Sequence, residues 1–208
     1  MSFRKLLGAG FVAWALLCGG AVDAQTLAAL PRLEAPIAAV GDARPLPAWT
    51  AFCDRYAGEC AIDRTEAATV TLSPRTMALI AGVNRQVNGT IKPMTDLDHW
   101  GIADQWDIPT DGYGDCEDFQ LLKRKLLAEA GLPRRAMRMT VVLDEKNEGH
   151  AVLMIRTDRG DITLDNKTDA VLPWSETGYT FVKRESQDVV GWVSLGRAAS
   201  PIVTARSR

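Results

Sequence analysis

Histidine is scarce in this chain, with two residues in 208. Any imidazole chemistry must therefore use His99 or His150. Basic blocks are missing: 24 Lys and Arg are interspersed with 26 Asp and Glu, for a formal charge of −2. Without a sustained positive face, nucleic acid is excluded as an expected partner. No internal repeat or low-complexity tract is present, which excludes a solenoid or an array. Long apolar runs are also missing, apart from one near the start.

That run, "LLGAGFVAWALLCGGAV", follows the short basic "MSFRK" and leads to "VDA" and Gln25. A basic start, an apolar stretch of this length and small residues before the junction describe a secretory signal cleaved after Ala24. A single membrane anchor is the competing reading, because the run is only a little short for a span. A lipoprotein signal through Cys18 is a third, although Leu17 is bulky where such signals take a small residue. The cleaved signal, residues 1–24, is favoured, and with it a periplasmic protein.

Four cysteines is a small number, and export makes it odd, because Cys18 leaves with the signal. Cys53, Cys60 and Cys116 remain. In an oxidising compartment an odd set implies one pair and one free thiol. Cys53 and Cys60, in "FCDRYAGECAI", are near neighbours able to close a small loop, which leaves Cys116 unpaired. A lone thiol is commonly a buried apolar residue, but one retained in an exported protein raises the question of its use.

Residues 25–47 are rich in Ala and Pro without periodicity and read as a flexible leader or an extended arm. Residues 48–196 form one domain, long enough to bury a core, and residues 197–208 read as a frayed tail. "LSPRTMALIAGVNRQVNGTI" predicts a helix capped by Ser73, with Pro74 in its first turn, Gly89 near its end and Met77, Ile80, Val83, Asn84 and Val87 on one face. From Lys92 to Gly114 the chain is loop-like, and long irregular segments are often functional. A second helix starts near Asp115 and ends at Gly131, with Phe119, Leu122, Leu126 and Leu127 as its apolar stripe. Five short segments rich in β-branched and aromatic residues follow, "MRMTVVLD", "HAVLMIRT", "DITLDN", "YTFVKRES" and "VVGWVSLG", two of them joined by the turn "TDRGD". Helices first and an antiparallel sheet second predict an α+β fold.

Cys116 at a helix start, His150 opening a strand and Asp165 ending the next strand occur in the order that thiol acyl-transfer chemistry needs. A thiolate attacks a carbonyl, an imidazole holds and returns the proton, and a carboxylate fixes the imidazole's tautomer. Each residue has a plainer reading: a structural cysteine, a surface histidine after "NEG", a turn aspartate before Asn166. His99, in "DLDHW", reads as a loop histidine packed by Trp100. The flanks of Cys116 are the difficulty. Asp115, Glu117 and Asp118 are acids, and negative neighbours raise a thiol pKa. On local grounds Asp115 is an N-cap, and Glu117 and Asp118 complement the helix dipole.

The combination "TDLDHWGIADQW", "GDCEDFQLLKRKLL", "GHAVL" and "LDN" resembles the bacterial transglutaminase-like cysteine proteases, including the periplasmic LapG-type enzymes that release surface adhesins. The resemblance runs from about Phe52 to Trp192. It implies a papain-like, transglutaminase-type core with the nucleophile at a helix N-terminus on an antiparallel sheet. It further implies Cys116 as nucleophile, His150 as general base and acid, and Asp165 as orienting carboxylate. By the same resemblance Asp115 and Glu117, with Asp118 as a third, bind Ca2+, whose charge would offset the acids' effect on the thiol. A protein substrate such as a cell-surface adhesin, cut in a small-residue linker, and an inner-membrane regulatory receptor are implied partners. Peptide hydrolysis is the leading activity. Transglutaminase or deamidase-type acyl transfer by the same three residues, or a non-catalytic calcium-dependent binding module, are the alternatives.

Overall fold

The computed structural model describes residues 30–204. The expected signal segment, 1–24, lies outside the described residues, and among those described no helix is long and apolar enough to cross a membrane. In chain order the elements are β1 (Gly41–Ala43), α1 (Pro47–Arg55), α2 (Ala57–Cys60), α3 (Pro74–Thr90), β2 (Lys92–Pro93), α4 (Asp96–Trp100), β3 (Tyr113–Gly114), α5 (Cys116–Glu129), β4 (Met137–Leu143), β5 (Gly149–Thr157), β6 (Gly160–Leu164), β7 (Leu172–Pro173), β8 (Thr180–Glu185) and β9 (Trp192–Ser194). Seven strands make one antiparallel sheet in the order β1-β9-β8-β4-β5-β6-β7. Helices precede the sheet's main strands, as the α+β expectation requires.

Helix α3 follows its sequence signals. The Ser73 hydroxyl accepts from Thr76 N at 3.0 Å, Pro74 occupies the first turn, and Met77, Ile80, Val83, Asn84 and Val87 are the buried face. The helix runs one residue past Gly89, to Thr90. Helix α5 departs from its predicted stripe. Phe119, Leu121 and Leu127 are buried, but so are Gln120, Lys123 and Arg124, while Leu122 and Leu126 are only partly covered. The cause is position: α5 packs on β5 and β4 on one side and on α3 on another, so more than one stripe meets protein. Each fully buried Leu or Phe here contributes about 1.5–3 kcal/mol.

Burying polar groups along α5 needs partners. Arg124 Nη1 donates to Glu185 Oε2 at 2.7 Å, and Arg124 Nη2 donates to Glu59 O at 3.0 Å. Glu185 also accepts from Trp49 Nε1 at 2.7 Å and from Met139 N at 3.0 Å. Glu59 lies inside the loop closed by a Cys53–Cys60 disulfide with a Cα–Cα distance of 5.6 Å. The bridge thus fixes the loop that supplies the Arg124 acceptor, and Cys116 is left as a free, buried cysteine.

Of the two readings of the leader, flexible or extended, the structure from Leu30 onward has the extended arm, lying on the sheet. Glu34 N donates to Arg159 O at 3.1 Å, Ile37 N to Asp161 Oδ2 at 2.9 Å and Val40 N to Ser194 O at 2.9 Å, before β1 pairs with β9. Its poor periodicity is the property of a strap whose backbone donors find acceptors on the sheet. The tail expected to fray from residue 197 is also docked, and Thr204 is fully buried. The loop-like segment from Lys92 to Gly114 contains the parallel pair β2–β3 and the one-turn helix α4. Thr95 caps α4, accepting from Asp98 N at 3.2 Å, and Gly101 ends it with φ of 74°.

Candidate active site

Cys116 is the first residue of α5, where the unpaired N–H groups of the helix favour negative charge. Asp115 stands at the N-cap in extended conformation, with no capping bond from its side chain. Its carboxylate is therefore free to turn elsewhere, and the plain capping role read from the sequence does not describe it. The Cys116 sulfur is buried, receives Ala151 N at 3.3 Å, and lies 3.1 Å from Glu117 Oε2. Burial pushes its thiol well up, and the charges of Glu117 and Asp115 push it further. Taken with the protein atoms alone, the site opposes a thiolate.

Opposite lies His150, the second residue of β5. One step beyond the Leu153–Leu164 pair, the β5–β6 register sets Asp165 across from Val152. Side chains alternate along strands, so Asp165 shares a face with Val152 and hence with His150. The two side chains meet: His150 Nε2 is 2.8 Å from Asp165 Oδ1. A proton on Nε2, donated to the ionised Asp165, leaves Nδ1 as the basic position. Asp165 also accepts from the Tyr179 hydroxyl at 2.6 Å and from Lys167 N at 3.0 Å. Burial alone would raise this carboxyl, but the His150, Tyr179 and Lys167 donors outweigh burial and hold it at about 2. Tyr179 packs edge-on against the His150 ring, with centroids 5.7 Å apart. Cys116 and His150 both line one cavity of about 580 Å³.

Behind Cys116 sits a set of carboxylates. Asp115, Glu117 and Asp118, the three anticipated ligands, are joined by buried Asp96 and half-buried Asp104. Donor oxygens of Asp96, Asp115 and Asp118 lie within 4.8 Å of one another, as do those of Asp96, Asp104 and Glu117. Asp115 and Glu117 do not share a face of a regular helix. They converge because Asp115 precedes the helix, and their oxygens and the Cys116 sulfur lie within 4.8 Å of one another. Gly114 makes room, since a Cβ there would stand 2.7 Å from Asp118 Cβ and Oδ2.

These acids are poorly satisfied by protein. Asp118 Oδ1 accepts from Asp107 N at 2.7 Å, Asp96 Oδ2 from Gln105 N, and Asp115 Oδ2 from Asp96 N at 3.4 Å. Asp96 Oδ1, Asp115 Oδ1 and Glu117 Oε1 are buried without partners. Burial first, and then repulsion among the acids, pushes Asp96 up to about 7 and Asp118 to about 9. The same causes raise Asp115 to about 6 and drive Glu117 well above the carboxylate range. Buried carboxylates with orphaned oxygens are costly unless protonated or bound to a cation. An all-oxygen donor set of this kind suits a hard divalent cation.

Asp96, Asp104 and Tyr179 are missing from the sequence-derived site. Asp96 lies in "TDLDHW", a stretch that reads as loop, and only its position beside α5 reveals its role. Tyr179 opens the segment before β8, far from Asp165 in any local pattern. His99 is placed as its sequence suggests, stacked on Trp100 at 3.9 Å and 2.8 Å from Asp111. Trp106 is fully buried in the core.

Comparison with known proteins places this arrangement. Residues 40–200 match the family described as bacterial transglutaminase-like cysteine proteinase, BTLCP. Among solved structures, calcium-bound Legionella pneumophila LapG is similar at 25% identity and a TM-score of 0.50, covering 61% of this chain and 74% of that one. Two further structures of the same Legionella pneumophila protein, one EGTA-treated, are each 26% identical over 57% of this chain. They cover 68% and, for the EGTA-treated form, 67% of those chains, at TM-scores of 0.48 and 0.49. No curated protein matches. The match over 40–200, on an α+β fold with a cysteine opening a buried helix, means that this chain belongs to the bacterial transglutaminase-like cysteine proteinases.

Proposed function

We propose that this chain is an exported, calcium-dependent cysteine protease that hydrolyses peptide bonds with Cys116, His150 and Asp165. The observation that carries the reading is the continuous chain from Tyr179 through Asp165 to His150 Nε2, opening on the cavity that Cys116 also lines. His150 Nδ1 takes the Cys116 proton as the sulfur attacks the scissile carbonyl, and gives it to the departing amine. Water then attacks the thioester, with His150 as base, and frees Cys116. Asp165, kept ionised at about 2, holds the imidazole in orientation and balances its positive charge.

The acids beside the nucleophile fit calcium in this scheme. Asp115, Glu117 and Asp118, with Asp96 and Asp104, would hold the ion, and three of them, Asp96, Asp115 and Glu117, have oxygens otherwise left without partners. When bound, it supplies positive charge that offsets the acids' repulsion of a thiolate. Calcium binding by the similar Legionella pneumophila LapG supports the assignment. The substrate class is a protein of the periplasm or cell surface, such as an adhesin, and an inner-membrane receptor is the proposed regulator. The disulfide supports an oxidising location.

The test is the rate of Cys116 alkylation by iodoacetamide against pH, with calcium and with a chelator. The expected result is an apparent thiol pKa well below the free value of about 8.5, present with calcium and lost in His150→Ala. An ordinary, slow profile in both conditions, indifferent to His150→Ala, would overturn the reading.

A further inference from the structure

The C-terminal segment ends its described course on the nucleophile. Thr204 O is 3.5 Å from the Cys116 sulfur and accepts the thiol's hydrogen bond, which sets a backbone carbonyl beside the nucleophile. Its hydroxyl donates to Asp104 Oδ1 at 3.1 Å, and the whole residue is buried although Ile202, two positions earlier, is 86% exposed. Val203 and Pro201 lie against Gly149, directly before His150. A Cβ on Gly149 would stand 2.5 Å from Val203 O and 2.8 Å from Pro201 Cβ. Thr204 thus lines the same cavity as Cys116 and His150.

We propose that Pro201–Thr204 is a peptide ligand of the enzyme's own cleft, seated in cis where a substrate's backbone would run and leaving before a substrate enters. The inference rests on Cys116 and His150 being the reacting pair, as proposed above. Three features of the seat are those of a peptide site. The bare Gly149 backbone lets another backbone approach closely. Asp104 reads the hydroxyl of the residue whose carbonyl faces sulfur. The cleft accepts the segment without any covalent link at the seat itself, so a separate peptide of the same sequence has the same contacts available. Tethering gives the segment an effective concentration of order mM, so modest intrinsic affinity suffices to hold the cleft mostly filled.

The test compares iodoacetamide alkylation of Cys116 in the full chain, in a chain ending at Ser200 and in full-length Gly149→Ala, each with a thermal melt to establish folding. Release of the segment is expected to speed alkylation about tenfold, in proportion to the open fraction. A synthetic PIVTARSR peptide at mM concentration should slow the truncated chain again. Should the truncated chain fail to melt cooperatively, Gly149→Ala carries the test, because its added methyl displaces Val203 without removing residues. Equal rates in the full chain and the released variants would overturn the proposal. So would a faster rate that the peptide does not reverse, since the tail would then act on the fold and not in the cleft. Failure of the catalytic reading is seen separately, as loss of the His150→Ala effect within each chain.

Discussion

Tyr179 donates its hydroxyl to Asp165 Oδ2 at 2.6 Å, while the other oxygen of the same carboxylate meets His150 Nε2 at 2.8 Å. The aspartate is thus held from both sides, and its orientation does not depend on the histidine alone. Charge-assisted bonds to a buried carboxylate are strong, and these bonds outweigh the burial that would otherwise raise Asp165. In the proposed mechanism Tyr179 acts through Asp165, as a positioning residue.

Tyr179→Phe keeps the ring against His150 and removes only that bond. We expect turnover to fall about tenfold with little change in KM, since the loss is one hydrogen bond of about 1.5 kcal/mol in the transition state. Asp165→Asn should cost on the order of 10³–10⁴ by presenting the wrong imidazole tautomer. The pH dependence of stability gives a second readout. A carboxyl lowered from 3.8 to about 2 stabilises the fold above pH 3.8 and loses that contribution as pH falls through about 2. Tyr179→Phe should narrow this window, measurable by urea titration across acid pH. An unchanged rate and window would remove Tyr179 from the site.

The carboxylate set predicts a metal-linked stability that can be measured without any substrate. A ligand that binds only the folded state adds about 2.7 kcal/mol at a hundred times its Kd. Calcium should therefore raise Tm, magnesium should do so less because it resists dehydration and wants tighter octahedral geometry, and a chelator should reverse the shift. Asp96→Asn removes the charge and one of the two side-chain oxygens of a residue grouped with Asp115 and Asp118, and with Asp104 and Glu117, within 4.8 Å. The calcium shift should shrink strongly in that variant while the His150–Asp165 pair stays intact. A calcium shift of full size in Asp96→Asn would restrict the site to the residues flanking Cys116.

Much of this site was legible in the residue order. Cys116, His150 and Asp165 stand at a helix start, a strand start and a strand end in a suggestive order, but each alone has a plainer reading, and only their combination with the resemblance singles them out. The helix face of α3 was legible because its pattern is local. Asp96, Asp104, Tyr179 and Thr204 were not, because each reaches the site through a contact between distant parts of the chain. The polar burial of Lys123 and Arg124 was hidden for a different reason. A stripe reading assumes one packed face, and α5 is packed on more than one. The leader could be read either way and the tail misled, because low periodicity marks a bound strap as readily as a free one.

The Cys53–Cys60 bridge closes a loop with a sequence separation of 7, and in the chain-entropy picture it stabilises by about 2 kcal/mol. The loop also carries Glu59, whose carbonyl accepts from buried Arg124 and whose carboxylate pairs with Arg134. Cys53→Ser with Cys60→Ser should therefore cost at least that much by denaturant titration and should make Tm insensitive to reductant. The wild-type Tm should fall when dithiothreitol is added. A wild-type melt indifferent to reductant would mean the bridge contributes nothing measurable.

Lys123 gives the clearest pH prediction outside the reactive residues. It is fully buried on α5, with its Nζ 5.9 Å from the Phe119 ring centroid. Burial lowers its pKa from 10.5 to about 7, and the charges of Asp165 and Asp169 only partly oppose the shift. Below pH 7 the lysine is charged in both states, and the folded state carries the cost of burying the charge. Between about 7 and 10.5 it is neutral when folded and still protonated when unfolded. The unfolded state then binds more protons, so this group's contribution to stability rises with pH across that window and levels off above it. Lys123→Met keeps the length of the side chain and removes the charge. We expect it to stabilise the protein below pH 7 by about 1–4 kcal/mol, the range seen when buried charges give way to apolar groups of similar volume, and to flatten the rise. Urea titrations of both proteins across the window measure this directly. Destabilisation at low pH would instead mean that the Lys123 charge is needed beside Asp165, and turnover should then fall in the same variant.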